Sequence, residues 1–500
     1  MMDYVIGCDI GSQGTKAILL STSGEFVCEA YSGYPTEYPR PLWAEQPVEH
    51  WLNALTLTVR QLLSKSDVVP ERIRALGLAT QVDGVVPVDS GGKALRPAII
   101  WMDRRAVSQC ESVRQHLDDN RIFNLTGLNL DASHVAPKIR WLADQQPQIY
   151  ERAAHFLLPG CYIAYVLTGE IRVDYSNASS TLLLDVKTRT WSPTMLDAFG
   201  IEADKLAPID SAAAILGKLR PEFAEQLGLT PDTFIMVGCG DEHAACLGAG
   251  VNSPGVAGDI AGTAEPVCAA SRSPIFDHTR LVETHCHADP ELWLLENPGF
   301  VSGGSYRWFR DQFAAEESFA SLDSQAAQVV PGSEGLVFLP NLMGSLAPTW
   351  NESARGVYAG ITLAHTRAHF VRALLEGTAY AVRDITAQMQ VLGLELNELR
   401  VMGGGARSQL WNRIKANVTG LPVTVPEITE TTALGAAFLA LVGIGAFATL
   451  TEASEHIVRI HERIYPDPGT MSLYMDMYEM YRETYFAMLP VFEKAAESRG

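Results

Sequence analysis

Near the start of the chain a carboxylate, two glycines, two hydroxyls and a lysine fall within eight residues, Asp9-Ile10-Gly11-Ser12-Gln13-Gly14-Thr15-Lys16. Backbone N–H groups in a Gly-containing turn, with the Ser12 and Thr15 hydroxyls, suit phosphate oxygens. Asp9 cannot bind phosphate itself. Beside one it can hold Mg²⁺, directly or through water, and Lys16 adds positive charge. Gly11 and Gly14 are expected to supply positive φ at the bend. An ordinary hairpin is the alternative for this segment alone. Spacing excludes two commoner phosphate motifs. A P-loop needs Gly-x-x-x-x-Gly-Lys-Ser/Thr, but Lys16 follows Thr15 and precedes Ala17. A dinucleotide fingerprint opens a helix, whereas here an apolar strand follows.

Further candidates stand where apolar runs stop. Ile73 to Ala79 ends in Thr80-Gln81-Val82-Asp83-Gly84, and Ala98 to Ile100 ends in Trp101-Met102-Asp103 before a helix from Arg104. Open α/β sheets place ligands at the carboxyl ends of strands, so Gln81, Val82, Asp83 and Asp103 are offered to one crevice. Two solvated loop carboxylates are the alternative. Phe234 to Val237 runs into Gly238-Cys239-Gly240-Asp241-Glu242-His243 and then a helix, which puts Asp241 at the cap or in the first turn. On that fact alone Asp241 is a capping residue. Gly258 to Glu265 repeats the opening theme roughly 250 residues later, with Gly262 and Thr263 in the turn, as a duplicated domain would. Two such hairpins facing each other across a cleft would hold a polyphosphate between them. Leu399 to Met402 closes on Gly403-Gly404-Gly405-Ala406-Arg407-Ser408, a surface flat enough for an aromatic base, or a plain strand-to-helix turn. His285 and His287 share a strand face, but no further ligand follows at metal-site spacing, and a sheet position is the simpler account.

The elements that must position these residues are those of an α/β chain. At 500 residues two domains are expected, and 47% hydrophobic with 19% charged residues is a globular composition. A net charge of −20 argues against nucleic acid or an anionic membrane as partner. The eight cysteines form no Cys-x-x-Cys pair and no cationic leader precedes an apolar run, the pattern of a reduced cytoplasmic protein. Ala433 to Leu450 is uncharged, yet rich in Ala and Gly, and reads as a buried helix rather than a membrane span. From Thr451 on the chain reads as helical, with Tyr474, Tyr478, Tyr481 and Tyr485 as a packing stripe.

Together these pieces resemble the FGGY carbohydrate kinases of the sugar kinase and actin superfamily, most of all the xylulokinase branch. The likeness rests on Asp9 to Ser12 with Thr15-Lys16, Pro41 to Gln46, Arg96 to Trp101, Ala136-Pro137-Lys138 with Trp141, Gly240-Asp241, Gly262-Thr263, Gly356 to Gly360, Gly403 to Ser408 and Ala433 to Ala437. It implies two ribonuclease-H-like domains with the active site in the interdomain cleft. The expected limits are residues 1–243 for the sugar-binding domain with the base, 244–450 for the ATP-binding domain, and 451–500 for a C-terminal helical extension. The resemblance makes Asp241 the catalytic base and gives Asp9 to Mg²⁺ and the phosphates. It assigns Gly262 and Thr263 to the second phosphate turn and Gly404, Gly405, Ala406 and Ser408 to the adenosine segment. ATP and a small sugar or polyol are the implied ligands, and a homodimer is compatible with the family. Val82-Asp83, Met102-Asp103 and Glu242 depart from the xylulokinase pattern of Met-His, Asn-Asp and Asn, which leaves the sugar open among ketopentoses, tetritols and related polyols. A non-catalytic or regulatory ATP-binding protein of the same superfamily is the other class of reading.

Overall fold

Two sheets that share a five-strand order carry the molecule in the computed structural model, which describes residues 2–497. In the first, β1 (Tyr4–Ile10), β2 (Gly14–Ser21) and β3 (Phe26–Gly33) form an antiparallel meander. After helix α1 (Val48–Lys65) comes β4 (Ile73–Thr80), parallel to β1. Helix α2 (Val135–Gln145) belongs to a long insertion, after which β5 (Ile215–Lys218), β6 (Phe234–Met236) and β7 (Cys239–Gly240) complete the sheet in the order β5-β6-β4-β1-β2-β3, with β7 beside β4. Helix α3 (Asp241–Ala249) then leads to the second sheet.

There β8 (Gly255–Ile260), β9 (Val267–Ser271), β10 (Glu283–Cys286) and β11 (Trp293–Asn297) precede helices α4 (Gly303–Phe313) and α5 (Arg367–Val391). They are followed by β12 (Leu396–Met402), α6 (Gln409–Thr419), β13 (Val423–Pro426), α7 (Thr431–Gly443), β14 (Ile460–Ile464) and α8 (Pro468–Glu497). The order is β10-β11-β9-β8-β12-β13-β14, so β11-β9-β8-β12-β13 reproduces β3-β2-β1-β4-β6 in both sequence and direction. The repeated turn of the sequence is thus a repeated domain, the two-domain α/β architecture expected.

The helices that end the two repeats, α3 and α7, pack on each other backbone to backbone. A Cβ at Gly248 would lie 1.9 Å from the Thr431 carbonyl oxygen, and one at Gly435 would lie 1.9 Å from that of Ala244. Helix α7 also crosses the first sheet, where Cβ atoms at Gly7 and Gly77 would come within 2.0 and 1.8 Å of the Ala433 and Ala436 oxygens. This explains two features of the sequence. Strands β1 and β4 are apolar almost throughout because helices cover both of their faces, and α7 is Ala- and Gly-rich because nothing larger fits. Among the described residues no helix is long and apolar enough to cross a membrane.

The last stretch corrects the all-helical reading. Ile460–Ile464 is strand β14, paired antiparallel to β13 with Val423 opposite Ile464. Its sequence, Ile-His-Glu-Arg-Ile, alternates as an edge strand should, but the charged residues hide it among polar helix formers. The four tyrosines of α8 do form a buried stripe, with Tyr478 donating to Asp384 at 2.6 Å. The helix expected from Arg104 begins at Val107, after a turn that Asp103 organises.

Candidate active site

The register of the first sheet sets three chemical residues in a row. Ile10 pairs with Thr80 and Thr80 with Gly240, so Asp9, Gln81 and Asp241 stand at the carboxyl ends of three neighbouring parallel strands. Gly240 takes the cap position of α3, which makes Asp241 its first helical residue, with Oδ1 accepting the Glu242 N–H at 3.0 Å. Burial, then the Glu242 carboxylate, then Asp9 push the Asp241 carboxyl well above the usual range. Asp9 is raised to about 7, mainly by burial, with Lys16 opposing and Glu430 reinforcing. Two neighbouring carboxyls that lack a full counter-charge are the donor chemistry that suits a hard cation. Among the described residues no cluster of three or more His, Cys, Asp or Glu side chains is set to hold a metal by itself, so phosphate and water would have to supply the remaining ligands.

The hairpin turn is built differently from the expectation. Neither Gly11 nor Gly14 has a positive φ. Gly14 is required by proximity instead, since a Cβ there would lie 2.6 Å from the Tyr31 ring. Gly11 N–H closes the turn on the Gly14 carbonyl at 3.1 Å, while Tyr34 donates to the Gly11 carbonyl at 2.5 Å. Trp101 Nε1 donates to Ser12 Oγ at 2.7 Å, leaving the Ser12 hydroxyl proton free to donate onward. Gln13 accepts at its carbonyl from Tyr31, and Thr15 is fully buried. Lys16 stands opposite Asp9 across the β1–β2 pair, and its ammonium meets Glu430, 2.5 Å away, at the start of α7. That pair is also a direct tie between the two repeats.

The four proposed sugar-binding residues divide. Gln81 Nε2 donates to Gln46 at 2.8 Å, and its Oε1 is buried without a partner. The Val82 side chain packs against Gly240, where a Cβ would meet it at 2.6 Å. Asp83, at φ 57°, has Oδ2 3.2 Å from His134 Nδ1 and leaves Oδ1 buried and unpartnered. Lys138 of α2 supports this loop, donating to the Asp83 carbonyl at 2.6 Å. Asp103 does not fit the same role. It is fully buried, and its oxygens accept from Ala44 N (2.6 Å) and from Arg105 N, Nε and Nη2 (2.9, 2.8 and 2.6 Å). Four donors exhaust its acceptor capacity, so it holds Arg105 under the Trp43 ring, 3.7 Å away, rather than facing a ligand.

In the second repeat Gly262 N–H bonds to the Ile260 and Ala264 carbonyls at 2.8 and 3.0 Å, and Gly304 N–H bonds to the Thr263 carbonyl at 3.0 Å. Gly405 N–H reaches the Ala261 carbonyl at 2.9 Å, which sets the Gly403–Ala406 turn beside the Gly262–Thr263 turn. Gly403 has a φ of 78°, and a Cβ at Gly404 would meet nothing within 4 Å, so an open face lies there. Ala406 is buried, and Ser408 Oγ caps α6 by accepting Trp411 N–H at 3.1 Å.

Several neighbours were not legible beforehand. Tyr34, His134, Glu283 and Glu296 carry no motif. His285 drew notice only as a metal candidate, and in the structure its Nε2 lies 3.9 Å from both Glu283 and Glu296. His287 Nδ1 instead accepts the Asp289 N–H at 2.9 Å.

The comparisons with known proteins agree with this fold. Residues 4–248 match the N-terminal domain, and residues 259–444 the C-terminal domain, of the FGGY family of carbohydrate kinases. The chain is 30% identical over 485 residues to a xylulose kinase of Bacillus subtilis, covering 97% of each. It is 32% identical to an autoinducer-2 kinase of Escherichia coli, over 96% of this chain and 94% of that one. A gluconate kinase from Lactobacillus acidophilus superposes with a TM-score of 0.92 at 25% identity, over 99% of this chain and 100% of that one.

Proposed function

The chain belongs to the FGGY family of carbohydrate kinases, and from that premise we propose that it transfers the γ-phosphoryl group of Mg-ATP to a primary hydroxyl of a small sugar or polyol, a ketopentose such as xylulose or a related polyol, with Asp241 as general base. The observation that carries the reading is the row formed by Asp9, Gln81 and Asp241 at three adjacent strand ends, with Asp9 close enough to help raise the Asp241 carboxyl. Phosphoryl transfer needs little covalent help from a protein: positioning, neutralisation of charge and a base near the attacking oxygen. Asp241 accepts the hydroxyl proton through a carboxyl whose affinity for protons its buried, acidic surroundings raise. Asp9 is the residue that would hold Mg²⁺, and the ion would neutralise charge on the phosphates. The Ser12 hydroxyl and the backbone of the Gly11–Thr15 and Gly262–Ala264 turns orient the triphosphate. The Gly404–Ala406 turn carries the adenosine on its open face.

For the domains we propose limits at 243, which falls within α3, and at 450, and β14 of the last segment completes the second sheet. All eight cysteines are free thiols, which fits the reduced, cytoplasmic setting proposed. The test is acceptor-dependent ADP release across a panel of ketoses, pentitols and tetritols. Release that responds to at least one neutral acceptor is the expected result. ATP consumption indifferent to every acceptor would overturn the reading.

A further inference from the structure

Between the two repeats, a set of buried polar side chains keeps atoms without partners, Asp83 Oδ1, both His285 ring nitrogens and Glu296 Oε2 among them. β10 and β11 pair with Glu283 opposite Glu296, and His285, two residues on, shares their face. All three are buried, at 3%, 2% and 6% exposure. His285 Nε2 lies 3.9 Å from Oε2 of each carboxyl, too far for a hydrogen bond, and neither ring nitrogen has a partner. Asp83, from the first repeat, contributes the unpartnered Oδ1. The edge strand β10 is docked firmly on that repeat. Asn129 N–H donates to Glu283 at 2.7 Å, Thr284 N–H to the Gly127 carbonyl at 2.9 Å and Cys286 N–H to Ser179 at 3.0 Å. The His243 ring of α3, two residues beyond Asp241, stands 5.7 Å from that of His285.

We infer that Glu283, His285 and Glu296 of the second repeat, with Asp83 of the first, form the subsite that reads the hydroxyls of the acceptor distal to the reacting one, and that it admits neutral polyols and ketoses but not aldonates. The inference rests on the kinase reading and deepens it. Two groups 3.9 Å apart are bridged by one hydroxyl making bonds of about 2.8 Å to each, and an alcohol both donates and accepts as such a site demands. Buried polar atoms left open cost stability, so a fold keeps them where a ligand satisfies them. An acceptor carboxylate would meet the acid side chains of Asp83, Glu242, Glu283 and Glu296, with His134 and Lys138 as the cations beside Asp83, and would be disfavoured.

The test compares wild type with Glu283→Gln, Glu296→Gln and His285→Ala, using Mg-ATP with the best neutral acceptor of the panel and with gluconate. Each variant should raise KM for the neutral acceptor by about tenfold or more, with KM for ATP within about twofold. Wild type should discriminate against gluconate by at least about 100-fold, and the Glu→Gln variants should narrow that ratio. Because a buried substitution can impair folding, a crystal structure of the wild-type protein with that acceptor and a non-hydrolysable ATP analogue decides independently. Acceptor hydroxyls within hydrogen-bond distance of His285 and either glutamate support the inference. Ordered water there, with the acceptor held by the first repeat alone, overturns it while leaving the kinase reading intact. If no acceptor stimulates ADP release, both fall.

Discussion

Asp241 combines two properties that a base for alcohol phosphorylation needs: a place at the strand ends and a carboxyl that holds protons more tightly than in water. Replacing it with Asn should lower kcat/KM by about 10²–10⁴-fold while ATP binding, measured by calorimetry, changes by less than about threefold. Turnover preserved in that variant would falsify the assignment. A second prediction concerns His134. Burial alone would lower its pKa, but the Asp83 carboxylate outweighs this and holds it at about 9 against an ordinary 6.5. A basic group raised on folding stabilises fully below its unfolded pKa, and the contribution disappears as pH rises through the folded one. The stability difference between wild type and His134→Gln should therefore be largest below pH 6.5, on the order of 3 kcal/mol, and fade as pH passes about 9. Denaturant melts across that range would show a flat difference if the pair does not form. At this scale the sequence placed Asp9 and Asp241 at strand ends, as the register has them, while only the family resemblance raised Asp241 above a capping residue. It misled at Asp103, since nothing local reveals that Arg105 and Ala44 fill every acceptor position.

At the scale of elements, glycine acts in two ways that the sequence does not separate. Gly248 and Gly435 are there because α3 and α7 touch through their backbones, with less than 2 Å available to a Cβ on either. Gly435→Ala should destabilise the protein by about 1–3 kcal/mol or more, read as a lower melting midpoint with or without ligands. Gly404, with nothing within 4 Å, should behave in the opposite way: Gly404→Ala leaves the melting midpoint nearly unchanged and raises KM for ATP. A large stability loss at Gly404, or none at Gly435, would contradict these roles. The strands and helices that hold the site were readable from apolar periodicity. Strand β14 was not, because an edge strand with alternating charges has the composition of a surface helix, and only its pairing with β13 identifies it.

For the whole molecule, the two repeats meet at α3 and α7, at the Lys16–Glu430 pair and at the docked strand β10. An acceptor gripped by both repeats should draw them together. The radius of gyration from small-angle scattering is then expected to fall when acceptor and a non-hydrolysable ATP analogue are added together, and ADP release without acceptor should stay below about 1% of the stimulated rate. An unchanged radius with full acceptor stimulation would show that the cleft works without closure. The chain by itself determined the duplicated α/β plan, the paired Gly-containing turns and the kinase family, because glycines, strand ends and their repetition are local signals that recur in order. Only the tertiary structure decided what the carboxylates do. Whether Asp103 is spent on an arginine, Asp83 left open beside His134, or Glu283 and Glu296 brought to the acceptor depends on which distant backbones pack together, and hydrogen bonding is settled by proximity in space, not in sequence.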